Sequence, residues 1–350
     1  MVGKDSVADY IAALPKAELH LHLEGSIEPD TLLALAERNR ISLPWRTPEA
    51  IASLYRYDNF DAFKRALLLS VHCLRTADDF AFVVYRLAAA LSRQNICYAE
   101  VFWTPQFYFH LGISSDDLLD ALNAGRTRAK AEFGLDVRWI PDIVRSVPAP
   151  AMRVASWAVS ERARQNGVVA LGLGGPEEGH PAGRFSKLFA WARERGLPAN
   201  PHAGEGTGPH GVRSALNALR PTRIGHGVGA AEDPLLLSEL AAARLPLEVC
   251  VSSNVRIGLY RDAASHPLRQ LIAAGCVVTL NTDDPPLFHT SLNEEYRQAV
   301  VECGLTLAEL DEVALNAARA SYLPEDKKKA LIARMETEQA RLKQLAVRVP

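Results

Sequence analysis

The sequence predicts an α/β fold of the (β/α)8 TIM-barrel type, with extra helices after the first strand and at the C-terminus. Three observations predict it. Eight short apolar runs recur along the 350 residues, several nearly continuous, as expected for strands buried on both faces of a parallel sheet. Helical patterns separate them, and such alternation implies parallel strands. Eight units in about 270 residues suit a closed barrel better than an open doubly wound sheet, and no dinucleotide fingerprint follows the first run. Residues 1–350 are read as one domain.

The strands are expected at Ala17–Leu23, Cys97–Trp103, Asp136–Val144, Val168–Gly175, Pro198–Glu205, Arg223–Val228, Leu245–Ser253 and Cys276–Asp284. Helices fall between them. Asp79–Gln94 follows a capping stretch, Thr76–Asp79, and Ser115–Phe133 opens Ser-Asp-Asp, which suits a helix N-terminus. Ala151–Gln165, Phe185–Arg195, Val212–Leu219, Pro234–Arg244 and Pro267–Ala274 follow. Gly196, Gly275 and Gly304 read as helix stops. The segment Asp30–Leu91 is long for one connection and is expected to hold helices covering the barrel mouth. Thr306–Val347 reads as two or three more helices.

Bulk properties exclude several functions. The 39 basic and 41 acidic residues nearly cancel, which gives no support to a polyanion or membrane-surface partner. No basic run interleaved with aromatics suggests nucleic acid. No signal peptide or membrane span is seen, so the expected location is cytoplasmic. The five cysteines are scattered and never spaced C-x-x-C, which fits buried reduced thiols.

The chemistry sits at the ends of runs. His20 and His22, two apart on a strand, point the same way, and imidazole is a good zinc ligand. Alone, H-x-H also fits two satisfied polar histidines. His202 ends the fifth run and is read as a third ligand. Glu205, three residues on, is read as an acid/base group, with a surface-loop glutamate as the plain alternative. His226 ends the sixth run, where it can orient or deprotonate a metal-activated water. Asp283 and Asp284 would repel on a buried strand end, a conflict that a divalent cation relieves for one of them. Asp283 is taken as the fourth ligand and Asp284 as free for substrate. The fourth run has no Lys, His, Asp or Glu, which argues for one metal. Its Gly172, Gly174 and Gly175 do not match a phosphate loop, so a backbone N–H donated to a flat ligand is expected there. His72, His110, His180, His210, His266 and His289 are read as structural or surface histidines.

Catalytic residues of such barrels lie at the C-terminal ends of strands, where all these groups fall. On these residues the chain resembles the adenosine deaminase family of the amidohydrolase superfamily. The resemblance is carried by Pro15 to Ser26 with its His20-Leu21-His22-Leu23-Glu24-Gly25 core, His202-Ala203-Gly204-Glu205, Ile224-Gly225-His226-Gly227, Asn281-Thr282-Asp283-Asp284-Pro285 and the softer Glu248 to Asn254. It implies one Zn2+ per chain on His20, His22, His202 and Asp283. It further implies that Glu205 protonates purine N1, His226 acts on the attacking water, Asp284 meets N7 and Gly175 offers its N–H to N3. The implied partner is a small-molecule purine nucleoside, hydrolytically deaminated to an inosine-type product and ammonia. Glu24 stands where adenosine deaminases usually carry Asp, and Gly172 to Glu177 departs from their usual turn. Both bear on the sugar side and bring 5′-modified adenosines such as aminodeoxyfutalosine forward as the alternative. Adenine deamination, a non-catalytic metal-binding barrel and an amide- or ester-cleaving amidohydrolase rank below.

Overall fold

A computed structural model describes residues 4–57 and 60–348. Eight parallel strands run in sequential order: β1 (Lys16–His22), β2 (Ile96–Trp103), β3 (Asp136–Val144), β4 (Leu171–Gly174), β5 (Ala199–Ala203), β6 (Ile224–His226), β7 (Leu247–Val249) and β8 (Val278–Leu280). Every expected run holds one strand. The sheet closes where His22 N–H donates to Asp283 O (2.8 Å) and Asp283 N–H to His20 O (3.0 Å). Closure thus runs through two of the expected site residues. A buried apolar core extends from Ile11 to Leu342.

The first three strands are as long as their runs or longer, whereas β4 to β8 are shorter than theirs. The clearest correction is at Leu245–Ser253: pairing stops at Val249, and Val251–Arg256 is helical. The reason lies far along the chain. The buried Glu295 carboxylate accepts from Val251 N–H (2.9 Å) and Ser252 N–H (3.2 Å). It thereby satisfies donors that open this turn and have no partner within it. Likewise Ala151–Gln165 is two helices, Ala151–Ala158 and Glu161–Gln165. Ser160 Oγ caps the second by accepting from Ala163 N–H, which starts a new helix there.

Ser115–Phe133 is helical over the expected residues, and Thr76 and Asp79 form a capping box. Gly196, Gly275 and Gly304 have φ of 80°, 82° and 75°. That is the left-handed backbone that ends a helix. The insert after β1 carries helices Pro29–Arg38, Pro48–Leu54, Phe60–Cys73 and Ala77–Ser92. It is tied to the loop after β8: Tyr57 Oη donates to Leu287 O (2.6 Å), His289 Nε2 meets Tyr55 O (2.8 Å) and Phe63 stacks on Phe288. Beyond β8, Leu292–Val301 is an additional helix, and the C-terminal tail forms Leu307–Ala320 and Glu325–Arg348. All five cysteines are free and buried. Among the described residues no helix is long and apolar enough to cross a membrane.

Candidate active site

Strands buried on both faces leave their C-terminal ends as the place where polar side chains can converge, and here they do. One ligand atom from each of His20, His202, His226 and Asp283 lies within 4.8 Å of the others. His22 joins them, its Nε2 lying 3.1 Å from His202 Nε2 and 3.2 Å from Asp283 Oδ1. His20 Nε2 is 3.5 Å from the same oxygen. Glu205 Oε1 stands 3.6 Å from His226 Nε2. The structure therefore gathers five ligand-type groups where four are expected.

The backbone is bent to achieve this. His226 and Asp283 have φ of 59° and 65°. These are strained values for residues with a Cβ, and such strain clusters at functional sites. Gly225 and Gly25 make room. A Cβ on Gly225 would lie 2.6 Å from the His20 ring, and one on Gly25 would collide with the Asp284 carboxylate.

Burying so many ionisable groups together divides their protonation. Burial opposes charge on His20 and His22, but bonds to Asp283 outweigh it and push them up to about 9 and 10. Burial, reinforced by the neighbouring imidazoles, holds His202 well below the ordinary range, and burial lowers His226 to about 4. Burial also raises Asp283, but bonds from His20 and His22 hold it far below the usual carboxylate range. Asp284 moves the other way: burial and the Asp283 charge push it up to about 8. The repulsion expected for this pair is resolved by one carboxylate staying charged and the other staying protonated. Burial, Asp283 and Glu177 push Glu205 up to about 8 as well.

The donor set fits a metal ion. His20 Nε2 is buried without a hydrogen-bond partner, and it converges with His22 Nε2 and His202 Nε2 beside the Asp283 carboxylate, an arrangement costly unless something else satisfies it. Imidazole nitrogens with one carboxylate suit zinc.

Supporting residues carry the rest, and the sequence alone assigned no role to Glu248, Glu177, Ser253 or Asp142. Glu248 of β7 accepts from His20 Nδ1 (2.8 Å) and Asn200 Nδ2 (3.0 Å) and pairs with Arg223. Glu177 accepts from the N–H groups of Gly204, Glu205 and Gly206 and from Thr207 Oγ1, pinning the turn that carries Glu205. Ser253 Oγ donates to Asp283 Oδ2 (2.6 Å). Asp142 of β3 fills the space left by the missing side chains of Gly172 and Gly174. Its Oδ1 has no partner, and burial pushes it up to about 7. The signals were present: Glu248 and Asp142 are acids inside apolar runs, and Ser253 lies in the softer motif. Glu177, in a Gly-Pro turn, has no such mark. Glu24 is buried and held, its Oε1 accepting from Thr104 N–H (2.9 Å) and Tyr108 Oη (3.1 Å). Gly175 turns the chain after β4 with φ 85°.

The family model for adenosine deaminase matches residues 15–338. The chain belongs to the adenosine deaminase family. An aminodeoxyfutalosine deaminase from Streptomyces avermitilis is 40% identical over 336 residues, covering 96% of this chain and 94% of that protein. An adenine deaminase from Albidiferax ferrireducens is 34% identical over 335 residues, covering 95% and 96%. Among solved structures, an adenine deaminase from Arthrobacter aurescens superposes with a TM-score of 0.87 at 29% identity, covering 93% of this chain and 98% of that one. A Burkhoderia ambifaria amidohydrolase with bound Zn gives 0.87 at 27%, covering 97% and 94%. The family is one of deaminase hydrolases, and these neighbours share the barrel.

Proposed function

We propose that this protein is a zinc-dependent deaminase of a 6-aminopurine nucleoside, with aminodeoxyfutalosine as its preferred substrate. One observation carries the reaction: a carboxyl group raised to about 8, Glu205, faces His226 beside a buried cluster of metal-ligand groups. The relatives reverse the order expected from sequence, favouring the 5′-modified adenosine over adenosine itself. Glu24 in place of Asp supports the same choice on the sugar side.

His20, His22, His202 and Asp283 would hold the zinc. When bound, it supplies Lewis acidity that brings a water's pKa toward ~7. The net reaction adds the water oxygen to C6, breaks the C6–N bond and releases ammonia. Glu205, protonated at neutral pH, donates to N1, an acceptor. Asp284, also raised to about 8, meets N7 as a donor for the same reason. Gly175 offers its N–H to N3. Glu177 holds the turn that aims Glu205.

Ammonia release is to be measured with zinc-loaded protein on aminodeoxyfutalosine, adenosine and adenine. The expected order of kcat/KM follows that sequence. Adenine as the best substrate would overturn the nucleoside reading, and no turnover of any of the three would overturn the whole proposal.

A further inference from the structure

Two buried histidines of the cluster face the same centre, their rings 5.0 Å apart, yet their outer nitrogens meet opposite chemistry. His20 Nδ1 meets the Glu248 carboxylate, which can only accept. Its Nδ1 therefore carries a proton, which leaves Nε2 as the nitrogen that faces the centre and would meet a bound metal. His226 Nδ1 instead meets Asn254 Nδ2 at 3.3 Å.

That contact is anchored through a chain of bonds. Leu268 N–H donates to His266 Nδ1 (3.1 Å), and a backbone N–H is a donor without ambiguity. His266 must then carry its proton on Nε2, which lies 3.1 Å from Asn254 Oδ1. Turning the Asn254 amide over would set its NH2 against that N–H, donor against donor. The amide orientation is thereby fixed, and its NH2 donates to His226 Nδ1. A ring accepting at Nδ1 holds its hydrogen on Nε2. Asn254 is fully buried and His266 is 4% exposed, so water does not compete for these bonds.

We infer that His266 and Asn254 are positioning residues that lock His226 as the Nε2–H tautomer, presenting a donor rather than a lone pair to the reaction centre. His226 is then neither a metal ligand nor the group that accepts the water's proton. It orients an oxygen by donating to it, with carboxylate oxygens of Glu205 and Asp283 at 3.6 Å and 3.9 Å from its Nε2. This also settles which of the five gathered groups stands outside the ligand set.

The test is imidazole 15N NMR on zinc-loaded, histidine-labelled full-length protein, with the His226 signal assigned by its loss in His226→Gln. The expected spectrum shows Nε2 protonated and Nδ1 bare; the reverse pattern overturns the inference. Asn254→Asp replaces the donor with a carboxylate that accepts from both rings. It should flip the His226 signature to Nδ1–H and lower kcat about 100-fold or more at unchanged zinc content. A flipped signature with unchanged kcat would refute the functional role. His266→Gln, which restores a donor toward Asn254 Oδ1, should keep the wild-type signature, whereas His266→Phe should lose it. The inference takes its site from the proposed deaminase, but the spectrum needs no substrate, so failure of either is separately visible.

Discussion

The two sides of the barrel mouth are built differently. On the side of β5 to β8, the groups proposed to react are held by buried partners: Glu205 by the Glu177 clamp, His226 by Asn254 and His266, and Asp283 by Ser253. On the side of β1 to β4, acids are buried with less support. Asp142 Oδ1 has no partner, and Glu24 is raised by burial despite two donors. Asp284, beyond β8, shares the pattern with its bare Oδ1. Saturated hydrogen bonds fix geometry, which proton transfer and attack require. A buried acceptor without a donor costs free energy that an incoming ligand can recover. On the proposed function, the first side would govern the chemical step and the second the choice of substrate.

The comparison predicts where damage falls. The largest effect belongs to Glu205→Gln: kcat is expected to drop about 1000-fold while zinc content by metal analysis is unchanged. Retained activity would remove Glu205 from the chemical step. The same acid sets a pH limb. Its pKa is raised to about 8, which makes the protonated form the working one. Above that pH, kcat/KM should fall about tenfold per unit. A profile flat to pH 10 would assign the proton elsewhere.

Glu177→Gln comes next. It weakens the clamp without touching substrate, and a slight misplacement of Glu205 should cost about 10- to 100-fold in kcat with little change in KM. An effect confined to KM would instead place Glu177 on the substrate side.

Asp142→Asn should have the smallest catalytic effect, a few-fold change in KM that differs between aminodeoxyfutalosine and adenosine. Its stability effect has a defined sign in the metal-free protein. Burial favours the protonated form and raises this group to about 7. Charging it therefore costs stability as pH rises from the ordinary carboxylate range through that value. The asparagine variant should match wild type near pH 4 and be more stable above pH 7 by up to about 4 kcal/mol, roughly 5 °C in Tm. Equal melting curves at both pH values would show that Asp142 is satisfied.

Much of this was legible in the chain. Strand period two sends His20 and His22 to one side, and the ends of apolar runs mark the mouth for His202, His226, Asp283 and Asp284. Run ends were less legible, because a run does not reveal where pairing stops. Val251 to Ser253 are apolar or small enough for a strand, yet Glu295 draws their backbone into a helix. His266, read as structural, turns out to lie one amide away from His226.

The sequence by itself determined the inventory and its face: strand periodicity and chain order place ligand-type residues at one end of a barrel. Tertiary structure alone decided what each presents there. His20 turns its Nε2 inward because of a residue 228 positions away, and His226 an N–H because of one 28 away. Hydrogen bonds act through space over a few ångströms, and only the closed barrel brings those partners within that range.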